Sequence, residues 1–255
     1  MKKKKPLRIF LTVLISLILL LSVLAGGFLL WSKDAYTPFP PALAAMKSSD
    51  RVKVTDGPRY VLFEPVSPAG GEKKETGLIF YPGGKVEPEA YAPLLSAVAA
   101  AGHPVVLCRM PLNLAVFATN TADGASAIHP DFRWVIGGHS LGGSMAAFYA
   151  YKHPGKMAGL VLLGSYPAGS NDFSGTTVPV LSIYGTNDMG FEKIRQSKAL
   201  LPGTTTWAEL AGGNHAQFGD YGPQKGDGTA TLSREMQQKL AVESITAFLT
   251  RLSAD

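Results

Sequence analysis

A serine between glycines stands near the centre of the chain, directly after an apolar run and directly before a helical pattern. Residues 134–136 (Trp-Val-Ile) predict a buried strand, and residues 145–148 lie in a predicted helix. Between them, the glycines of Gly138-His139-Ser140-Leu141-Gly142 let strand and helix approach too closely for a Cβ, while the strained serine exposes its hydroxyl. This strand, turn and helix predict an α/β fold with Ser140 as a nucleophile. A passive serine in a glycine-rich turn is the alternative.

Short apolar runs alternate with helical patterns through the rest of the chain. The predicted strands are residues 60–63, 77–81, 105–108, 134–136, 160–163, 180–184 and 206–210. The predicted helices are residues 88–101, 122–128, 142–151, 191–200 and 232–252. Strands that alternate with helices predict a mostly parallel sheet with helices on both faces. The polar, glycine-containing stretch 68–76 predicts an exposed hairpin loop early in that sheet.

The N-terminal segment divides into a basic tail and an apolar run. Residues 9–31 contain no charged side chain, and they exceed the roughly 20 residues that a membrane-spanning helix needs. The tail, residues 1–8, carries five basic side chains that favour the cytoplasmic side, so the rest of the chain is expected on the extracytoplasmic face of the cell membrane. A cleaved signal peptide, cut before Gly26, is the alternative, and it would make the domain a secreted one.

The remaining chain predicts a linker and one catalytic domain. Residues 32–47 hold three prolines without sustained periodicity and predict a short, stiff linker, and residues 48–255 form the domain. The net charge of +5 is the contribution of the N-terminal tail, since the other 19 basic residues balance 19 acidic ones. A nucleic-acid partner is therefore not expected. The single cysteine, Cys108, lies in an apolar strand, which favours a buried core thiol over a nucleophile.

A serine nucleophile needs a base, and the chain offers five histidines. His103 and His129 precede strands, and His153 closes the helix that follows Ser140, so all three are expected at the opposite edge of the sheet. His139 adjoins the nucleophile, but neighbouring side chains in such a turn are expected to diverge. His215 follows the strand 206–210 and belongs to the same edge as Ser140. It is the predicted base.

The predicted orienting acid is Asp188. It lies in the turn Gly185-Thr186-Asn187-Asp188 at the end of the strand 180–184. The chain order Ser140, Asp188, His215 is the order found in sheets of this architecture. Asp172 is the rival acid, because its loop leaves the same sheet edge. A plain Asx turn at Asp188 is the structural alternative.

Acyl transfer also requires donors for a developing oxyanion. One predicted donor is the backbone amide of Leu141, directly after the nucleophile. The second is expected in the loop Pro82-Gly83-Gly84-Lys85, where glycines let the backbone approach a substrate. Gly84 is the predicted donor, with its neighbour Lys85 as the alternative, and an ordinary Pro-Gly-Gly turn would have the same sequence.

These segments resemble the α/β-hydrolase superfamily, in particular its small cap-less branch, α/β-hydrolase family 5. The resemblance rests on Tyr81–Lys85, the turn at Ser140, Tyr184–Asp188 and Gly212–Phe218, which together span most of the domain. It implies an eight-strand sheet, a Ser-Asp-His triad and hydrolysis without a metal or other cofactor. The chain departs from many relatives at Pro82, where they have histidine before glycine, and this affects the choice of the second oxyanion donor. The short span from Leu163 to Val180 predicts an open site without a large lid.

The sequence therefore predicts a carboxylesterase-like serine hydrolase that takes a small-molecule ester or acyl substrate. An acyltransferase with the same triad is one alternative, and it differs only in using an alcohol as acceptor instead of water. A surface-displayed binding module that has kept the fold is another. Neither the acyl group nor the oligomeric state is indicated by the sequence.

Overall fold

The computed structural model describes residues 4–66 and 75–254. Its strands are β1 Val52–Asp56, β2 Tyr60–Pro65, β3 Thr76–Tyr81, β4 Val105–Cys108, β5 Arg133–His139, β6 Gly159–Leu163, β7 Val180–Gly185 and β8 Thr206–Leu210. Its α-helices are α1 Lys4–Lys33, α2 Pro40–Ala45, α3 Ala92–Ala100, α4 Thr121–Ser126, α5 Leu141–Lys152, α6 Phe191–Gln196 and α7 Arg234–Ala254. Short 3-10 turns lie at Pro88–Tyr91, Pro111–Asn113, Ala115–Phe117, Ser197–Leu200 and Ala216–Phe218.

The strands form one sheet in the order β1-β2-β4-β3-β5-β6-β7-β8. Strands β3 to β8 are parallel to one another, and only the β1–β2 and β2–β4 pairs are antiparallel. The predicted eight-strand, mostly parallel sheet is therefore confirmed. Because parallel strands end at the same edge, the segments that follow β3, β5, β7 and β8 meet there.

Successive side chains of the central strands enter two separate cores, as the period of two requires. Leu78 and Phe80 of β3 pack on one face together with apolar side chains of α3 and α7. Ile79 and Tyr81 pack on the other face with the alanines of α4 and α5. This two-faced burial explains why the strands are continuous apolar runs, and it confirms helices on both sides of the sheet.

The antiparallel edge of the sheet differs from the prediction. Strand β1 has the sequence Val-Lys-Val-Thr-Asp with mostly exposed side chains, so it lacks the apolar run that marked the other strands. It pairs with β2 across a turn at Gly57. The predicted hairpin over residues 68–76 is wrong, because β4 lies between β2 and β3. Residues 67–74 of that loop lie outside the described residues.

The predicted linker is also more structured than expected. Tyr36 forms an isolated parallel bridge with Val86, with Tyr36 N donating to Lys85 O at 2.7 Å and Glu87 N donating to Tyr36 O at 3.0 Å. Phe39 N donates to Asp220 O at 2.8 Å, and Ala42 of α2 is fully buried. Two of the three prolines that suggested a stiff spacer, Pro40 and Pro41, instead begin α2, where a missing amide hydrogen costs nothing. Residues 32–47 are thus packed onto the domain.

Helix α1 extends away from this packed body. None of its residues from Arg8 to Trp31 is buried, and its apolar part has a mean hydropathy of 2.8. Its length and composition suit a membrane span, and an N-terminal signal sequence has the same properties. Its last turn meets the domain, where Ser32 is buried.

Candidate active site

Ser140 occupies a strained turn between β5 and α5. Its φ of 51° and ψ of −123° lie outside the favoured regions for a residue with a side chain. Neighbouring backbone holds this conformation: Ser140 N donates to Leu163 O at 3.0 Å, and Ser165 Oγ donates to Ser140 O at 2.6 Å. A Cβ at Gly142 would collide with the carbonyl oxygens of Tyr81 and Pro82. The predicted reason for glycine beside the serine is therefore correct.

His215 and Asp188 form a buried pair at the same sheet edge. Nδ1 of His215 lies 3.0 Å from both carboxylate oxygens of Asp188, and each residue is at most 5% exposed. Gly190 N also donates to Asp188 Oδ1 at 2.6 Å, which fixes the carboxylate in the turn after β7. Nε2 of His215 is buried and has no hydrogen-bond partner within residues 4–66 and 75–254. The ring is thus oriented through one nitrogen and leaves the other without a protein partner.

A second carboxylate, which the sequence did not point out, holds the loop of His215. Asp227 accepts hydrogen bonds from the amides of His215 at 3.1 Å and Ala216 at 2.8 Å. It also accepts from Met189 N at 3.3 Å, next to Asp188. Asp227 thereby ties the turns of the base and the acid together. In the sequence, Asp227 is a single aspartate in a glycine-rich loop, and this pattern predicts only a turn.

Ser140 and His215 line one cavity of about 360 Å³. Leu141, Ser144, Ser165, Tyr166 and Met189 line it as well. A larger hollow of about 470 Å³ lies around Arg133, Trp134 and Lys156, where β5 begins, and Ser140 and His215 are not part of its lining. The smaller cavity is the candidate site, because it combines the exposed serine with the oriented imidazole. The loop from residue 164 to residue 179 contains no helix, so it forms no helical cap over the cavity.

Three of the other histidines lie away from this cavity. His103 is buried and contacts Thr76 O and Thr250, His129 pairs with Glu64, and His153 packs on the Tyr149 ring at 4.5 Å. These contacts agree with the expectation that the three histidines lie away from Ser140.

His139 lies closer to the base than expected. Its ring centroid is 4.4 Å from that of His215, and Tyr91 Oη is 2.8 Å from its Nδ1. Burial, followed by the nearby His215, holds the pKa of His139 well below its usual value. The expectation that the His139 side chain diverges from Ser140 did not include this contact, which forms because the His215 loop folds back over β5. His139 is therefore a neutral packing partner of the predicted base.

The rival acid Asp172 has a local role. It is exposed, and its Oδ1 accepts a hydrogen bond from Ser174 N at 2.8 Å. Hydrogen bonding to the Ser174 side chain, and then to its amide, lowers the pKa of Asp172, and the amide contact is typical of an Asx turn. Of the two candidate acids, Asp188 is the one in contact with His215.

Of the two predicted amide donors, Leu141 directly follows Ser140 in the chain, and Gly84 contacts Leu141. Leu141 is the first residue of α5, so its amide has no acceptor in a preceding helical turn. A Cβ on Gly84 would lie 2.8 Å from Leu141 Cδ2, which puts the two residues in contact range. The Lys85 amide donates to Asn113 O at 2.9 Å and Gly83 N donates to Tyr91 Oη at 3.0 Å. In that loop, the Gly84 amide has no partner among the residues that the structure describes.

The described residues offer fewer groups suited to metal binding or to a cysteine nucleophile. Within the described ranges, no cluster of three or more His, Cys, Asp or Glu side chains has a geometry that would hold a metal ion. Cys108 is buried, and burial raises the pKa of its thiol, so its nucleophilic thiolate form is disfavoured.

Comparisons with known proteins agree with this architecture. The family model described as "Alpha/beta hydrolase family" matches residues 77–239. Vibralactone cyclase has a similar structure, with a TM-score of 0.61 and 15% identity over 84% of this chain and 86% of that one. Dienelactone hydrolase from Anabaena variabilis gives a TM-score of 0.56 and 16% identity over 77% and 98% of the two chains. A thermostable esterase from Pseudomonas putida gives 0.52 and 14% over 84% and 86%. No curated protein sequence matches the chain.

Proposed function

The chain belongs to the alpha/beta hydrolase family, which places it among hydrolases, and from this premise we propose that it is a serine hydrolase that cleaves esters. One observation carries the proposal: Asp188 holds His215 by Nδ1, and Nε2 of the same ring has no protein partner, in a cavity that also contains Ser140. An imidazole held in this way supplies a base to a serine hydroxyl.

Ser140, His215 and Asp188 would act as a triad. A carboxylate only accepts hydrogen bonds, so Asp188 favours the tautomer with the proton on Nδ1 and a lone pair on Nε2. As Ser140 Oγ bonds to the ester carbonyl carbon, its proton moves to Nε2. That proton then goes to the leaving alcohol as the carbon–oxygen bond breaks and an acyl-enzyme forms. Water, deprotonated by Nε2, then bonds to the acyl carbon. As the bond from that carbon to Ser140 Oγ breaks, Nε2 returns the proton to Oγ, which releases the acid and regenerates Ser140.

The amides of Leu141 and Gly84 would receive the negative charge on the carbonyl oxygen. Position and availability support this choice, because Leu141 directly follows Ser140, Gly84 contacts Leu141, and the Lys85 amide is already donated to Asn113. The N-terminus of α5 adds partial positive charge at the same point. Loss of one such donor typically costs about 2.7 to 4 kcal/mol of transition-state stabilisation.

The choice of an ester as substrate draws on the similar structures. One of them is named an esterase and another a dienelactone hydrolase, and both names refer to cleavage of a carbon–oxygen acyl bond. An acyltransferase would use the same three residues and pass the acyl group to an alcohol. A binding module would need neither the strained Ser140 nor the buried pair of His215 and Asp188, so their combination favours catalysis.

We also propose that α1 is a retained single-pass anchor that leaves the domain on the extracytoplasmic face. The basic residues before it and the apolar length of α1 support this orientation.

Labelling with a fluorophosphonate probe tests the nucleophile. We expect stoichiometric labelling of the full-length protein and of Ser144→Ala, whose serine lines the same cavity, and no labelling of Ser140→Ala. Labelling that survives Ser140→Ala would overturn the assignment. Absence of labelling in folded wild-type protein would favour the binding module. Product analysis with p-nitrophenyl esters and added alcohols then separates a hydrolase, which releases acid, from a transferase, which releases a new ester.

A further inference from the structure

The end of helix α1 contacts the loop that carries Gly84. Lys85 Nζ lies 4.5 Å from the centroid of the Trp31 ring, and it pairs with Asp34 at 3.6 Å. The backbone of Lys85 also accepts the hydrogen bond from Tyr36 N described above. The apolar helix therefore joins the domain at the candidate oxyanion loop, not at the far edge of the sheet.

A second loop meets α1 at the same place. The rings of Phe28 and Phe117 are 5.9 Å apart with an interplanar angle of 80°. Despite this contact, Phe117 is 55% exposed and its neighbour Val116 is 45% exposed. The last two turns of α1 and this loop thus form one continuous apolar surface, which we call the anchor-side surface: Phe28, Trp31, Val116 and Phe117.

The anchor-side surface is close to the candidate chemistry. The 3-10 turn Ala115–Phe117 packs on α5, whose first residue is Leu141. A Cβ on Gly84 would contact both Leu141 and Leu114. Leu114 immediately precedes the turn that exposes Val116 and Phe117. One layer of side chains therefore separates the surface from the turn of Ser140.

The exposed length of α1 determines where a membrane would lie relative to the anchor-side surface. If α1 spans a bilayer, its C-terminal turns lie at the extracytoplasmic interface. Aromatic side chains such as Phe28, Trp31 and Phe117 are then at the depth where rings are favoured in membranes. Exposed apolar side chains beside a membrane anchor bury their surface in lipid, whereas their exposure to water is unfavourable in free energy.

From this geometry, and resting on the proposed function, we propose that Val116 and Phe117 insert into the outer leaflet and that the Ser140 cavity receives lipid esters from the bilayer. The substrate class is an ester whose acyl chain resides in the membrane. The chain would pass over Val116, Phe117 and Leu114 while its carbonyl reaches Ser140, so the ester need not leave the lipid for water.

Two esters with the same leaving group test the proposal. The full-length protein is reconstituted in phosphatidylcholine vesicles and supplied either with 4-methylumbelliferyl oleate dissolved in the bilayer or with water-soluble 4-methylumbelliferyl acetate. The test variant is Val116→Asp. The control is Val66→Asp, because Val66 is 47% exposed, close to the value for Val116, and follows β2 at the opposite sheet edge.

We expect Val116→Asp to lower oleate hydrolysis roughly tenfold, because a carboxylate is disfavoured at an apolar membrane contact. Acetate hydrolysis should stay within about twofold in both variants, and Val66→Asp should retain oleate hydrolysis, since neither change touches the catalytic groups. Equal effects of the two variants on oleate, or none, would overturn the proposal. So would wild-type protein that hydrolyses acetate but not oleate, and in that case the proposed esterase function survives.

Two further outcomes are distinguished by fluorophosphonate labelling. If neither ester is hydrolysed and folded wild-type protein is not labelled, the serine hydrolase function fails and this proposal fails with it. If Val116→Asp also loses acetate hydrolysis, Val116→Ser is measured in its place. A Val116→Ser protein that keeps labelling and acetate hydrolysis but loses oleate hydrolysis supports the proposal. One that loses labelling while folded assigns Val116 a structural role at the site and overturns it.

Discussion

At the scale of single residues, the two nitrogens of His215 have different environments. Nδ1 faces both oxygens of Asp188, while Nε2 has no hydrogen-bond partner in the described ranges. This asymmetry arises because Asp188 lies in the turn after β7 and because Asp227 accepts a hydrogen bond from the His215 backbone amide. A base held in one tautomer avoids the reorganisation that a freely rotating imidazole would need.

Asp188→Asn tests the orienting acid, with Asp172→Asn as its matched control. An asparagine can donate to Nδ1 and stabilise the wrong tautomer, so we expect kcat on a soluble ester to fall by about three to four orders of magnitude. Asp172 is exposed and bound to Ser174 N, so its replacement should leave kcat within about twofold. Steady-state kinetics of both variants check this. A larger loss at Asp172 would identify it as the acid.

His139 gives a prediction about stability and pH. Burial depresses its pKa in the folded protein, whereas in the unfolded chain it is about 6.5. Between these values the unfolded state binds one proton more, so the stability that the neutral ring provides is lost as pH falls below about 6.5.

We therefore expect the free energy of unfolding of His139→Gln to depend less steeply on pH below about 6.5, by up to about 1.4 kcal/mol per pH unit. Urea unfolding between pH 5 and pH 7, a range chosen to bracket that value, measures the slope for wild type and His139→Gln. Identical slopes for wild type and His139→Gln would contradict the prediction.

At the scale of elements, the β5–α5 turn is determined by close backbone contacts. The glycines at 138, 142 and 143 each face a neighbouring atom closer than a Cβ tolerates, so the strand, the helix and the loop after β3 converge on Ser140. This convergence also brings the Gly84 loop to Leu141. A site formed in this way depends on packing between elements that are far apart in sequence.

Gly142→Ala tests that dependence, with Gly169→Ala as control. Alanine favours a helix interior by about 1 kcal/mol over glycine, but the new Cβ collides with two backbone oxygens, and overpacking typically costs about 1 to 3 kcal/mol or more. We expect the clash to prevail and Tm to fall by several degrees, at about 2 to 4 °C per kcal/mol. Nothing lies within 4 Å of a Cβ at Gly169, so its variant should melt within about 1 °C of wild type. A scanning calorimetry measurement that finds equal Tm values would contradict this account.

At the scale of the whole molecule, one edge of the sheet carries the candidate catalytic groups and the anchor-side surface. The same edge carries the ends of β3, β5, β7 and β8, and the loop of Lys85 that meets Trp31. Parallel strands place these ends at the same edge, even though the segments are far apart in the sequence. The arrangement predicts that catalysis and membrane attachment are on one side of the protein.

Fractionation and protease protection test the attachment. We expect the full-length chain to remain with membranes after carbonate extraction, because a spanning helix is inserted effectively irreversibly. Protease added to intact cells should degrade the domain, and added from the cytoplasmic side it should not. A mature chain that starts near Gly26, found by mass spectrometry, would show that the segment is a cleaved signal peptide.

The sequence by itself determined most of the strands and the positions of the chemical groups along the chain. Apolar runs long enough for buried strands, glycines on both sides of Ser140, and aspartate and histidine after strand ends follow from local rules of period and turn geometry. These rules identified seven of the eight strands and both members of the His215–Asp188 pair. They missed β1, whose polar sequence carries no apolar period.

Only the tertiary structure decided which loops touch. It brought Asp227 to the His215 backbone, His139 against the His215 ring, and Tyr36 onto Lys85. It also excluded a hairpin after β2, since β4 occupies the position that β3 would need. Each of these contacts joins segments that have no fixed spacing and no common pattern in the sequence. The free energy of such a contact depends on complementary surfaces and not on local backbone preference. For the same reason, the contact between the end of α1 and the loops beside Ser140 became visible only in the folded chain.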